Sequence, residues 1–146
     1  MITEKLVSML THNGLVEQLS ISPSTPLALI LRSSFQREGI EFFTPGSYSQ
    51  QLGYMKRLRG YQIQPHLHHP ITREVQYTNE VLFIKSGRVK VNFYSTCKIF
   101  IGHRILNAGD IILLIEGGHG FEMLEDSEII EIKQGPYANE MDKEKF

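Results

Sequence analysis

The sequence predicts an all-β fold, and three features of its pattern indicate this. From Leu27 onward, short apolar runs follow one another at roughly 8–12-residue spacing, which is typical of an all-β sandwich or barrel. Turn-forming residues separate these runs, including Gly39 and Pro45-Gly46. No helical periodicity appears after Leu27. The pattern by itself does not choose between a sandwich and a barrel.

The amino-terminal segment is the one place where the pattern favours a helix. Thr3 can cap a short helix that ends at Gly14. The apolar face of this helix would consist of Leu6, Met9 and Leu10. The next segment, LVEQLSIS, is ambiguous between strand and helix. We therefore expect a short helical or irregular segment before the first strands.

Strand patterns then continue to the end of the chain. The first are LALILR, EFF, SQQLGYMKRL and YQIQPHLHH. The clearest hairpin is EVLFIKSGRVKVNFY, with strands from Glu80 to Lys85 and from Arg88 to Tyr94 that break at Ser86-Gly87. Four further strand patterns are KIFIGHRIL, GDIILLI, GHGFEML and SEIIEIKQ. In the second strand of the hairpin, one face carries Val89, Val91 and Phe93.

Size, charge and cysteine content limit the class of protein. The chain has 146 residues, which suits one domain, and a formal net charge of −1, which argues against a general nucleic-acid binder. Cys97 is the only cysteine, so no intrachain disulfide can form. The longest uncharged apolar run, Ile111 to Ile115, has the length of a buried strand. We expect a cytoplasmic protein with neither a membrane nor a nucleic-acid partner.

Four histidines are candidate metal ligands or neighbours of one. His66 and His68 are two residues apart, so on an extended segment both side chains point to the same face, while His69 points away. Two imidazoles on one face can converge on one metal ion. His119 lies in a glycine-rich stretch much further along the chain. A bare HxH pair also occurs by chance or in structural roles.

The spacing around the pair is similar to two motifs of the cupin family. Gly60, His66-x-His68, Glu80 and Gly87 reproduce most of the first cupin motif, G-x5-HxH-x3/4-E-x6-G. The second motif, G-x5-PxG-x2-H-x3-N, is recognisable between Gly109 and His119. The sequence therefore resembles a small single-domain cupin over about residues 50–134.

This resemblance implies a fold and a metal site. The fold would be the cupin double-stranded β-helix, a jelly-roll barrel, over residues 27–136. Residues 1–26 would form an amino-terminal extension on the barrel, and residues 137–146 a charged tail. The barrel would hold one divalent transition metal, Fe, Mn, Ni, Co or Zn. Its ligands would be His66, His68, Glu80 and His119.

The chain departs from the cupin pattern at two places. Eleven residues separate His68 from Glu80 where the family has three or four, which leaves Glu74 as a rival for the carboxylate ligand. We favour Glu80 because it opens a strand, whereas Glu74 lies in a loop. In the second motif, Ile115 replaces the proline and Met123 replaces the asparagine.

Other residues are candidates for contact with a substrate. The set comprises Arg57, Gln64, Arg73, Gln76, Tyr77 and Met123. Arg57 could present a cation to an anionic ligand, and Gln64 shares the parity of the two histidines. The simpler interpretation of the basic run around Arg57 is a solvated strand face.

We consider two hypotheses of function. The first is a metal-dependent enzyme of the isomerase, epimerase or dioxygenase type, acting on a small polar or anionic metabolite such as a sugar derivative or oxo acid. Glu74 or Tyr77 could then move a proton. The alternative is a non-catalytic module that binds or senses a small molecule in the same cavity. The resemblance also implies a homodimer.

Overall fold

A computed structural model describes residues 4–21 and 25–146 of the chain, and these residues form two compact units. The first unit consists of the described residues of Met1–Phe35 together with Tyr77–Phe146. The second unit is Gln36–Gln76. The proposed cap residue Thr3 lies outside the described residues. None of the helices formed by the described residues has the length and apolar character needed to cross a membrane.

Strands account for most of the regular structure. In chain order they are β1 Leu6–Thr11, β2 Val16–Ile21, β3 Thr25–Leu31, β4 Gly39–Phe42, β5 Gly53–Lys56, β6 Glu80–Ser86, β7 Arg88–Tyr94, β8 Phe100–Asn107, β9 Ile111–Leu114, β10 Gly118–Met123 and β11 Glu128–Lys133. Within residues 4–21 and 25–146, two short 3-10 helices accompany them: His12–Gly14 and Asn139–Asp142. The all-β class predicted from the sequence is therefore confirmed.

The first unit contains two antiparallel sheets. The larger sheet has six strands in the order β1-β2-β3-β9-β6-β11, and the smaller has three in the order β10-β7-β8. The second unit contains the two-stranded sheet β4-β5. Within the described ranges the two sheets of the first unit end in edge strands and do not close into a barrel.

One apolar core lies between the two sheets of the first unit. The larger sheet contributes alternate residues such as Ile30, Leu82 and Ile112, and the smaller sheet contributes residues such as Val91 and Phe93. All five are at most 3% exposed. Alternation explains this, because successive strand side chains point to opposite faces. Two sheets that enclose one core form a β-sandwich.

The predicted hairpin between Glu80 and Tyr94 is wrong in its pairing. Both strands exist where the sequence places them, but β6 pairs with β9 and β11 while β7 pairs with β8 and β10. Gly87 lies between β6 and β7 with φ +86°, so the chain crosses there from one sheet to the other. In this arrangement β6 and β7 each bury one apolar face against the opposite sheet. A flat hairpin formed by β6 and β7 would not place these two faces against each other.

The predicted amino-terminal helix is also wrong. The segment Leu6–Thr11 is strand β1, which pairs antiparallel with β2. Asn13 and Gly14, both at positive φ, make the turn between them. A helix this short is marginal in water, whereas a strand gains backbone hydrogen bonds along the edge of an existing sheet. The signal for this hairpin was the Asn-Gly pair, which favours tight turns.

The segment that carries the HxH pair is not a strand. Residues 61–76 have no regular secondary structure and are exposed. Pro65 and Pro70 account for this, because proline has no N–H to donate to a β-ladder. The strand predicted for YQIQPHLHH is therefore wrong.

Candidate functional site

A cavity of about 890 Å³ lies in the first unit. Its wall includes the start of β6, part of β10 and the end of β11, which contribute Glu80, His119 and Lys133. Tyr94 at the end of β7 also lines it. The cavity therefore collects ionisable and aromatic side chains from both sheets.

Strand register explains why Glu80 and His119 face this cavity. Glu80 is the first residue of β6 and lies on the same strand face as the buried Leu82. His119 is paired with Phe93, so both side chains lie on the inner face of the small sheet. The two sheets face each other, so residues 39 positions apart in the chain come together.

Glu80 and His119 are in direct contact. Glu80 Oε2 lies 3.4 Å from His119 Nε2, and the two side chains are 20% and 29% exposed. Hydrogen bonding from His119 lowers the pKa of Glu80 below its ordinary value, against the opposing effect of burial. Lys133 and Lys143 also favour the ionised form. Glu80 is therefore a carboxylate at neutral pH, available to accept hydrogen bonds or to bind a cation.

The other two predicted ligands, His66 and His68, form a second pair within the second unit. Their ring centroids are 5.3 Å apart at an interplanar angle of 77°. His66 Nδ1 lies 2.9 Å from the carbonyl oxygen of Gln64. A carbonyl oxygen only accepts, so Nδ1 donates this hydrogen bond.

The remaining predicted residues are divided between the two units. In the second unit, Arg57 lies over the ring of Tyr61 at 4.5 Å, so its cation is already engaged by an aromatic face. Three others in that unit are exposed outside any regular element: Arg73, Glu74 and Gln76. In the first unit, Tyr77 lines the cavity. Met123 shares the strand face of His119 and is 49% exposed.

Glu80 and His119 have the donor types that divalent transition metals take. A carboxylate oxygen and an imidazole nitrogen are both common ligands, so the pair fits part of the predicted ligand set. Two protein donors alone are fewer than such ions usually have. Throughout the described parts of the chain, no group of three or more His, Cys, Asp and Glu side chains is placed to hold a metal ion. One ion held by all four predicted ligands stays a prediction.

The carboxy-terminal segment contributes to the cavity, and sequence reasoning missed this. Thr78 donates a hydrogen bond to Asp142. Lys98 Nζ lies 2.6 Å from Glu144 Oε1. The ring of Phe146 lies edge-on to Tyr94, with centroids 5.2 Å apart. A highly charged segment has no periodicity that would predict these contacts.

No protein-family model, curated protein or solved structure matches this chain. The fold and the site alone define the class of protein. It is an antiparallel β-sandwich protein with a cavity lined by ionisable and aromatic residues. At the wall of that cavity, a carboxylate from one sheet meets an imidazole from the other.

Proposed function

We propose that the protein binds a small polar or anionic molecule in the cavity of the first unit, with Glu80 and His119 as its polar anchors. The observation that carries the proposal is the 3.4 Å contact between these two side chains at the cavity wall. Small-molecule sites typically enclose about 300–1,000 Å³ and place a few polar groups among apolar ones. The cavity of about 890 Å³ is within that range.

The chemistry of the pair suits recognition and proton transfer. An imidazole beside a carboxylate is held in one orientation, so its other nitrogen is presented in a defined direction. The phenol of Tyr77 lines the same cavity and can donate a hydrogen bond to a bound ligand. An enzyme and a non-catalytic binding module would both use these groups. Turnover of a bound metabolite by the purified protein would favour the enzyme.

We expect binding in this cavity to depend on both members of the pair. The experiment is an NMR titration of a panel of sugar derivatives and oxo acids against the wild-type protein. For any compound that binds through hydroxyl groups, His119→Ala and Glu80→Gln should each weaken affinity about ten-fold or more, because each removes a hydrogen-bond partner of those groups.

His103→Ala is the matched control for this titration. His103 is exposed in β8 and does not line the cavity, so its removal should leave the affinity unchanged. Compounds that bind equally well to wild type, His119→Ala and Glu80→Gln would contradict the proposed site. Loss of binding in His103→Ala alone would contradict the proposed site and indicate that the ligand binds on the surface around His103.

A second candidate function adds a divalent metal. The contact between Glu80 and His119 favours it, since these two groups are among the donors that the cupin resemblance implies. Such an ion would polarise a carbonyl or hydroxyl of the substrate, as metal-dependent isomerases, epimerases and dioxygenases require. Glu74 or Tyr77 would then be candidates for proton transfer.

Metal content tests this candidate directly. Elemental analysis of the purified protein should give one equivalent of Fe, Mn, Ni, Co or Zn, and His66→Ala, His68→Ala, Glu80→Ala and His119→Ala should each lose most of it. Glu74→Ala should retain the ion, because the six-residue spacing to Gly87 in the cupin motif assigns the carboxylate ligand to Glu80. His69→Ala is the control for the histidine variants. Undiminished metal in His66→Ala and His119→Ala would contradict this ligand set.

The homodimer implied by the resemblance stays a prediction. Its relevant feature is strand β11, which forms one edge of the six-stranded sheet. Ile130 and Ile132 on this strand are 49% and 60% exposed. Exposed edge strands with apolar side chains are surfaces that a second chain can cover.

A further inference from the structure

One part of the cavity is already occupied by the protein's own carboxy-terminal segment, and the groups that occupy it indicate what the cavity can bind. The ring of Phe146 lies edge-on to Tyr94, with an interplanar angle of 89° and centroids 5.2 Å apart. A Cβ atom added at Gly118 would lie 2.9 Å from Cζ of this ring. The absence of a side chain at Gly118 therefore leaves room for an aromatic ring beside Tyr94.

The carboxylate of Glu144 lies in the same part of the cavity as the Phe146 ring. Lys98 Nζ lies 2.6 Å from the carboxylate of Glu144 and 5.7 Å from the centroid of the Phe146 ring. One ammonium group thus contacts both a carboxylate and an aromatic face. We call the place formed by Tyr94, Lys98 and Gly118 the aromatic-acid subsite.

The carboxy-terminal segment holds this subsite only loosely. The side chains of Lys98 and Glu144 are 44% and 73% exposed, so water screens their ion pair. Phe146 is 63% exposed and buries little of its ring. Because these exposed contacts stabilise the bound segment only weakly, a small molecule that supplies both groups can displace it when its concentration is high enough.

We propose that the aromatic-acid subsite binds small molecules that combine an aromatic ring with a carboxylate, and that Glu144 and Phe146 compete for it. The ring of the ligand would replace that of Phe146 beside Tyr94. Its carboxylate would replace that of Glu144 at Lys98. The inference rests on the proposed function, because it specifies the ligand class for the same cavity.

The test uses 3-phenylpropionate as the probe, titrated into the full chain and followed by NMR. Two matched probes separate the two groups: butyrate keeps the carboxylate without the ring, and 3-phenyl-1-propanol keeps the ring without the charge. We expect 3-phenylpropionate to bind about ten-fold or more tightly than either of them, because each control loses one of the two contacts.

Three variants locate the binding. Phe146→Ala should tighten the binding of 3-phenylpropionate by about five-fold, because removal of the competing ring raises the fraction of open subsite. Lys98→Met should weaken it by about ten-fold, because the ammonium is lost. Tyr137→Ala should leave it unchanged, because Tyr137 is a 79% exposed aromatic residue of the same carboxy-terminal region and does not line the cavity. Circular dichroism checks that each variant is folded.

The outcomes separate this inference from the proposed function. The aromatic-acid subsite is wrong if 3-phenylpropionate binds no more tightly than butyrate, or if Phe146→Ala and Lys98→Met leave its affinity unchanged. Either result would leave the proposed function standing, because that function is tested separately by the effect of Glu80→Gln and His119→Ala on the metabolite panel. If the probe depends on Lys98 and Phe146 but no panel compound depends on His119, the subsite stands and the anchoring pair is wrong. Failure of the probe to bind either wild type or Phe146→Ala overturns the inference.

Discussion

Replacing Gly87 with alanine is expected to destabilise the protein by about 3 kcal/mol or more, through backbone strain together with a steric clash. Gly87 has φ +86°, a conformation that side-chain-bearing residues rarely adopt. An added Cβ would meet Ser127 Oγ and the backbone carbonyl oxygen of Asp126, and would lie 2.7 Å from Ser127 Cα. These atoms belong to the turn before β11, so relief of the clash would move an edge of the six-stranded sheet.

Gly14→Ala is the matched control for this experiment. Gly14 also has a positive φ, +80°, but a Cβ there meets nothing within 4 Å. It should therefore cost only the conformational penalty, about 1 kcal/mol. Urea unfolding of wild type and both variants measures the two free energies. Equal destabilisation by the two substitutions would contradict the contact between Gly87 and the turn before β11.

The second large effect is expected at Glu17, which joins the two sheets of the sandwich. Glu17 in β2 is 6% exposed and contacts Arg104 in β8 at 2.8 Å, and it accepts a hydrogen bond from Ser8 at 2.5 Å. Glu17→Gln should destabilise the protein by about 2–3 kcal/mol at neutral pH, because Arg104 loses its carboxylate partner in a poorly solvated place. Urea unfolding is the measurement.

The loss at Glu17 should depend on pH. Burial tends to raise the pKa of Glu17, but hydrogen bonds from Arg104 and Ser8 outweigh it and hold the pKa below its ordinary value. A carboxyl whose pKa is lower in the folded state stabilises the protein in full above the unfolded-state pKa of about 4.3. That stabilisation is lost as the pH falls through the folded-state pKa. The difference between wild type and Glu17→Gln should therefore shrink below about pH 4.

An exposed ion pair provides the control for Glu17. Lys90 and Glu122 are 2.9 Å apart, with side chains 31% and 57% exposed. Glu122→Gln should change the free energy of unfolding by less than about 1 kcal/mol, since solvent screens this pair. If Glu122→Gln costs as much as Glu17→Gln, burial is not the source of the difference. A pH-independent effect at Glu17 would contradict its ionised state in the folded protein.

The local sequence pattern was sufficient to predict most strands of the sandwich and the faces that they bury. Alternation in Arg88–Tyr94 predicted that Val89, Val91 and Phe93 share one face, and all three are at most 1% exposed. The same two-residue alternation in Gly118–Met123 places His119 and Phe121 on one face, and their rings lie 5.4 Å apart. Such predictions succeed because the two-residue period of a strand is a property of the backbone itself.

The sequence by itself thus determined the all-β class and most of the strands. Only the tertiary structure decided that β6 and β7 belong to different sheets, that Leu6–Thr11 is a strand paired with β2, and that the carboxy-terminal segment reaches the cavity. Each of these depends on which distant surface a segment meets. Side-chain periodicity indicates which face of a strand is apolar, but not which part of the chain covers that face. A short segment adopts the conformation in which its backbone can form hydrogen bonds with the neighbouring sheet.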